Sequence, residues 1–170
     1  MIQKVHDLIR ELSPNTTNTN RIRRNIETPM RALDLHYLGS GNFSTVWAIG
    51  RSDVVLKISH KNYDYGRDYM LWLYENPNLS PHAPQIHSYV ELDDNVYVTM
   101  PKYHEAVNPP DVEKYLYGQT PEPGNPLHEF LNLVGRRYPE TAIDLHHENM
   151  MVDNMGVLII TDPVSYMEGY

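Results

Sequence analysis

An α+β fold built on antiparallel strand pairs is what the chain predicts, from three pairs of apolar runs joined by tight turns. Met150–Val152 and Val157–Ile160 flank an Asn154-Met155-Gly156 turn, a hairpin signal. Strand-like runs before Gly39 and up to Lys57 enclose a glycine-containing segment, and Gln85–Val90 and Asn95–Met100 surround an Asp93-Asp94 turn. Short connections of this kind join antiparallel neighbours. The sheet is expected to span about Arg31 to Met100, with one helix packed on it.

Composition sets the bounds. The 170 residues suffice for one domain with a sizeable core, and 41% are hydrophobic, enough to fill it. A net charge of −8, from 14 basic and 22 acidic residues, argues against a nucleic-acid-binding surface. The absence of cysteine excludes disulfides, thiol catalysis and cysteine-ligated zinc, and suits a reducing compartment. The opening residues MIQKVHDLIREL lack the continuous apolar stretch of a signal peptide, and no apolar run reaches the length of a membrane span. Tyrosine, at 13 against 2 Phe and 2 Trp, supplies most of the aromatic surface, which suits packing with polar tips.

In chain order, Val5, Leu8, Ile9 and Leu12 fall at helical spacing over residues 3–13, and Ser13-Pro14 ends that helix. Its apolar face is expected to pack on the domain. Asn15–Asn20 is read as a polar loop, and Arg21, Arg23 and Arg24 as a solvated basic cluster. Leu38 to Val46 carries Gly39 and Gly41, where a missing Cβ lets the backbone approach phosphates closely. Val54-Val55-Leu56-Lys57 is a strand ending on a lysine. Residues 64–75 carry a helical stripe of Tyr65, Tyr69, Trp72 and Leu73, followed by a turn-rich connector over Asn76–Pro84. Residues 104–125 are rich in Pro, Gly and Glu and read as an irregular linker with a short helix near Asp111–Leu116. Pro126–Arg137 is helical, with Leu127, Phe130, Leu131 and Val134 as its buried stripe.

The chemistry concentrates at the last hairpin. If Asp153 faces Val157, counting back puts Asn149 opposite Thr161, next to Asp162. Side chains closing across a ladder sit about 4.5–5.5 Å apart at Cβ. An amide oxygen and a carboxylate at that separation can share one hard cation such as Mg²⁺. Asp144, just before the first strand, can lie beside them as a base. His146 and His147 have no other His or Cys at ligand spacing nearby, which argues against a metal site built on them.

Asp144-Leu145-His146-His147-Glu148-Asn149 has the spacing of the protein-kinase catalytic loop Asp-Leu-x-x-x-Asn, and Asp162 follows a hairpin as that family's metal-binding Asp does. Leu38–Val46 resembles the kinase loop Gly-x-Gly-x-x-Gly-x-Val, with Ser44 in place of the third glycine, and Val54–Lys57 resembles the strand Val-Ala-Ile-Lys. The chain thus resembles protein kinases over roughly Leu35 to Ser165. Within that family it looks closest to the early serine/threonine protein kinase of short-tailed lytic bacteriophages, which shuts off host transcription. Ile160-Thr161-Asp162-Pro163-Val164-Ser165 and Leu-Gly-Ser-Gly-Asn-Phe-Ser carry that likeness.

The resemblance implies a minimal kinase-like two-lobed α+β fold. Residues 1–30 would be an N-terminal helix and linker, 31–103 an N-lobe with an antiparallel sheet, and 104–170 a truncated helical C-lobe with the catalytic loop and metal-binding hairpin. It implies ATP and Mg²⁺ as cofactors. Asp144 would be the base and Lys57 the α/β-phosphate ligand. Asn149 and Asp162 would hold the metal. Gly39, Ser40, Gly41, Ser44 and Val46 would line the nucleotide, with Met100 guarding the adenine and Pro101–Tyr103 as hinge. His146, at the position of the family's catalytic-loop lysine, would help orient the phosphate. The carboxylate partner of Lys57 stays open among Asp64, Asp68 and Glu75. The implied function is phosphorylation of serine or threonine on host proteins, the transcription machinery among them, in the host cytoplasm during phage takeover. Neither nucleic acid nor membrane is an expected partner. A homodimer is expected, to cover apolar faces left by a short C-lobe.

The chain also departs from the family. Ala142-Ile143 replaces His-Arg before the catalytic Asp, Asp-Pro-Val replaces the usual metal-loop tripeptide, and the chain ends at Tyr170, which leaves no room for an activation segment. Two rivals follow: a non-catalytic kinase-fold inhibitor of a host protein, and a small-molecule phosphotransferase of the aminoglycoside-kinase type, which also uses Asp-Leu-His-x-x-Asn.

Overall fold

This computed structural model describes residues 1–13, 19–41, 44–60, 65–107, 124–145 and 147–166. Asn42, Phe43, Asp64, His146 and the short helix expected near Asp111–Leu116 lie outside them. The fold is α+β and divides into two compact units, Met1–Met70 with Ile86–Lys102, and Leu71–Gln85 with Tyr103–Tyr170. No helix among the described residues is long and apolar enough to cross a membrane.

The first unit is a five-stranded antiparallel sheet. Its strands are β1 (Leu35–Ser40), β2 (Ser44–Ile49), β3 (Val54–His60), β4 (Ser88–Leu92) and β5 (Asn95–Pro101), in the order β1-β2-β3-β5-β4. The β4–β5 turn is the expected Asp93-Asp94 pair, with Asp93 at φ +50°. One face of the sheet carries Trp47, Leu56, Ile58 and Tyr97, all buried, and two N-terminal helices close over it. Helix α1 (Ile2–Leu12) supplies Val5 and Ile9 to this core, as its apolar spacing foretold.

Helix α2 (Thr19–Ala32) takes in Thr19 and Asn20 of the expected polar loop and corrects that reading there, while residues 15–18 lie outside the described ones. Ile22, Ile26 and Met30, spaced four apart, form its buried stripe. Arg21 and Arg24 are exposed, as a solvated cluster would be, whereas the Arg23 guanidinium lies 4.5 Å over the Tyr37 ring, and Glu27 pairs with both Arg23 and Arg31. Ile26 is wholly enclosed. Ile26→Ala is expected to cost about 2–5 kcal/mol, the usual range for emptying a buried aliphatic site, read by chemical denaturation. A cost near zero would mean that α2 does not pack on the sheet.

Helix α3 (Tyr65–Glu75) begins in the first unit and ends in the second. Arg67 ties it to β4: its Nε donates to Glu91 (3.2 Å) and to the Tyr89 hydroxyl (3.3 Å), while Tyr89 donates to Glu91 (2.8 Å). Burial pushes the Tyr89 phenol up to about 12, so it stays a donor at neutral pH.

The second unit holds helix α4 (Pro126–Arg137), a three-stranded sheet and a two-stranded one. The first contains β6 (His104–Glu105), β8 (Met150–Val152) and β9 (Leu158–Ile160) in the order β6-β8-β9. The second pairs β7 (Thr141–Ile143) with β10 (Val164–Tyr166). Helix α4 has the bounds its pattern suggests: the Asn125 side chain accepts from Leu127 N–H (2.9 Å), Pro126 opens the first turn, and Arg136 and Arg137 sit in the last. Leu127, Phe130 and Val134 are buried, as are Met150 and Leu158–Ile160 of the hairpin. These residues are covered within the single chain.

Candidate functional site

The site residues of the second unit are joined by a closed set of hydrogen bonds. Strands β7 and β10 run antiparallel with Ile143 opposite Val164, and one step further the Asp144 N–H donates to the Pro163 carbonyl (2.8 Å). A 3₁₀ turn over His147–Asn149 then delivers Asn149. Its Nδ2 donates back to the Asp144 carbonyl (3.0 Å), and its own carbonyl accepts from Thr161 N–H (2.8 Å) and the Thr161 hydroxyl (3.1 Å). Asp162 therefore sits between two anchored neighbours, Thr161 bonded to Asn149 and Pro163 bonded to Asp144. All three side chains are half-buried: their backbones are fixed while their polar ends stay within reach of solvent.

The hairpin that sets this register has the pairing counted from the sequence. Met150 faces Ile160 and Val152 faces Leu158, so the next step places Asn149 at Thr161. The turn is closed by Asp153, whose Oδ1 accepts from both Met155 and Val157 N–H (2.8 Å each), with Gly156 at φ +80°. A Cβ on Gly156 would meet nothing within 4 Å, so only its left-handed backbone resists substitution. Gly156→Ala is expected to cost about 1–2 kcal/mol, measured as a loss in urea-unfolding free energy. No loss would mean that the turn relaxes to another form.

In the first unit, register decides which residues share a face. Gly39, Val46, Lys57 and Val98 are successive partners in one row across four strands. Ala48, Val55 and Met100 form the row on one side of it, and Ser44, Ser59 and Val96 the row on the other. Partners in register and residues two apart point the same way. Gly39, Ser44, Val46, Lys57 and Met100 therefore lie on one face, opposite the one covered by α1 and α2. Lys57 and Met100 are buried, at 6% and 5% exposure. Ser40 pairs with Thr45 and so faces the other way, where its Oγ accepts from the Tyr37 hydroxyl (2.9 Å). From that position Ser40 can offer a ligand its backbone but not its side chain.

Gly41 N–H donates to the Ser44 carbonyl (3.0 Å) and closes the loop between β1 and β2. Neither Gly39 nor Gly41 has a positive φ. A Cβ on Gly39 would meet no atom within 4 Å, so neither backbone strain nor internal crowding asks for glycine there. What glycine leaves is open space above the row that contains Lys57. Of the candidate partners for Lys57, Asp68 and Glu75 are exposed on α3.

Asn149 and Asp162 offer hard oxygen donors, and Mg²⁺ is ordinarily held by one or two such side chains together with phosphates rather than by a full protein cage. Among the described residues no group of three His, Cys, Asp or Glu could hold a metal ion. Pro163, which anchors Asp162 from the far side through its carbonyl, escaped the sequence reading because no residue type is required for that bond. The Asp at the start of Asp153-Asn154-Met155-Gly156 did carry a signal, since Asp at a turn bonds its own backbone two residues on.

No curated protein matches the chain. A family model described as Bacteriophage T7 protein kinase 0.7 matches residues 140–170. Over that segment, which holds Asp144, Asn149 and Asp162, the chain is similar to a phage protein kinase.

Proposed function

We propose that this chain is a phage protein kinase that transfers the γ-phosphate of ATP to serine and threonine hydroxyls of host proteins, in the host cytoplasm, with the transcription machinery among its targets. The observation that carries the reading is the hydrogen-bond set that joins Asp144 and Asn149 to each other and to Thr161 and Pro163, the two neighbours of Asp162. Two metal-type ligands and a base at fixed spacing are what in-line phosphoryl transfer requires of a protein, because that chemistry rests on positioning and charge. Similarity to a phage kinase over the same segment supports it.

In this reading Asn149 and Asp162 hold Mg²⁺, which neutralises charge on the phosphates. Asp144 orients the attacking hydroxyl and accepts its proton. Lys57 pairs with the α- and β-phosphates, and the open space at Gly39 lets the β1–β2 backbone approach them. Met100 and Val55, adjacent partners on the same face, bound the adenine side.

Incubation with γ-labelled ATP and Mg²⁺ against host lysate, casein and an aminoglycoside tests the reading. Label on serine or threonine of protein is expected. Label on the aminoglycoside alone would indicate a small-molecule kinase, and nucleotide binding without transfer would indicate a non-catalytic binder. Lys57→Ala is expected to weaken ATP affinity and slow transfer while leaving the Mg²⁺ dependence of what remains unchanged. Unaltered affinity would remove Lys57 from the site.

A further inference from the structure

Strand β9 leads straight into Asp162, and its outer edge is closed by one residue of the connector after α3. The order β6-β8-β9 leaves β9 at the edge of its sheet. The Ile160 N–H donates to the His82 carbonyl (2.9 Å), and the His82 imidazole Nδ1–H donates to the Leu158 carbonyl (2.8 Å). Since a carbonyl can only accept, the proton lies on Nδ1 and the tautomer is fixed. His82 thus takes one donor and one acceptor that an edge strand would otherwise present to water.

His82 is itself held. Its N–H donates to the Ser80 hydroxyl (3.1 Å), and Ala83 N–H donates to the Ser80 carbonyl (3.2 Å). Pro81 and Pro84 restrict the backbone on either side. At the far end Gln85 N–H donates to the hydroxyl of Tyr103, next to β6 (2.9 Å). Burial, the largest effect, raises the Tyr103 phenol above its ordinary value, so it stays neutral there.

We infer that His82 is a positioning residue for Asp162: it braces β9 on the side away from β8 and so fixes the approach of Thr161 and Asp162 to the metal. This rests on the proposed kinase reading. Residues that orient a metal ligand from outside commonly cost about 10–100-fold in metal affinity or activity when removed.

The test compares His82→Ala with His82→Asn, whose side-chain amide nitrogen can take over the place of Nδ1. Hydrogen exchange of the Leu158–Asp162 amides and binding of ATP with and without Mg²⁺ are measured on the full chain. In His82→Ala those amides should exchange faster and Mg-ATP affinity should fall about 10-fold, with metal-free ATP affinity unchanged. His82→Asn should restore both. A role in overall stability alone would shift both forms of ATP alike and would contradict the inference. Unchanged exchange in His82→Ala would overturn it, as would unchanged Mg-ATP affinity or failure of His82→Asn to rescue. If the wild type bound no Mg-ATP while exchange still rose in His82→Ala, the kinase reading would fall. His82 would then be a brace for β9 and not a residue that serves a metal.

Discussion

Asp162→Ala is expected to weaken Mg-ATP binding and to abolish phosphate transfer together. A metal ligand acts in the bound ground state as well as in the transition state, so both quantities fall. Loss of one preorganised charge aimed at the reacting group typically costs about 10²–10³ in rate. The backbone bonds that flank Asp162, made by Thr161 N–H and the Pro163 carbonyl, are kept by alanine. Calorimetry with Mg-ATP and a thermal melt of the same sample separate the two effects. A variant that melts like the wild type and still binds Mg-ATP normally would remove Asp162 from the metal site.

Asp144→Ala should behave differently. Nucleotide binding should stay nearly intact while transfer slows by about 10²–10⁴, the usual contribution of a general base. This variant is informative because the Asp144 N–H bond to the Pro163 carbonyl and the bond that its carbonyl accepts from Asn149 need no carboxylate and are kept by alanine. Asn149→Ala offers no such separation, since its side-chain amide both braces Asp144 and faces the proposed metal. Transfer assays under saturating Mg-ATP read the difference. An Asp144→Ala variant as fast as the wild type would leave the proposed proton acceptor without a role.

The parts of the fold that were legible in the sequence are those where one local rule decides. The β8–β9 register follows from a turn of fixed length, so Asn149 and Thr161 could be paired by counting, and the Asn125-Pro126 start of α4 has the cap and proline expected at a helix N-terminus. Helix α2 was hidden because its sequence, TNRIRRNIETPMRA, is polar and contains Pro29, and only the spacing of Ile22, Ile26 and Met30 betrays it. That helix is stabilised by the sheet face it covers, which is a tertiary effect. In the site, residue identities were legible and their anchoring was not. Ser40 reads like a loop residue, yet the extra residue at Leu38, between the Tyr37–Trp47 and Gly39–Val46 pairs, turns its side chain to the face of Tyr37. The bonds from Pro163 and His82 involve main-chain atoms and join parts of the chain that no turn of fixed length connects, so no spacing in the sequence reveals them.

Titrating the wild-type chain with ATP by calorimetry, first with Mg²⁺ and then with the metal removed by chelation, tests the central claim most directly. Saturable binding is expected with Mg²⁺ and a large loss of affinity without it, because in the proposed site Asn149 and Asp162 reach the phosphates through the metal. No binding under either condition, or binding indifferent to Mg²⁺, would contradict it.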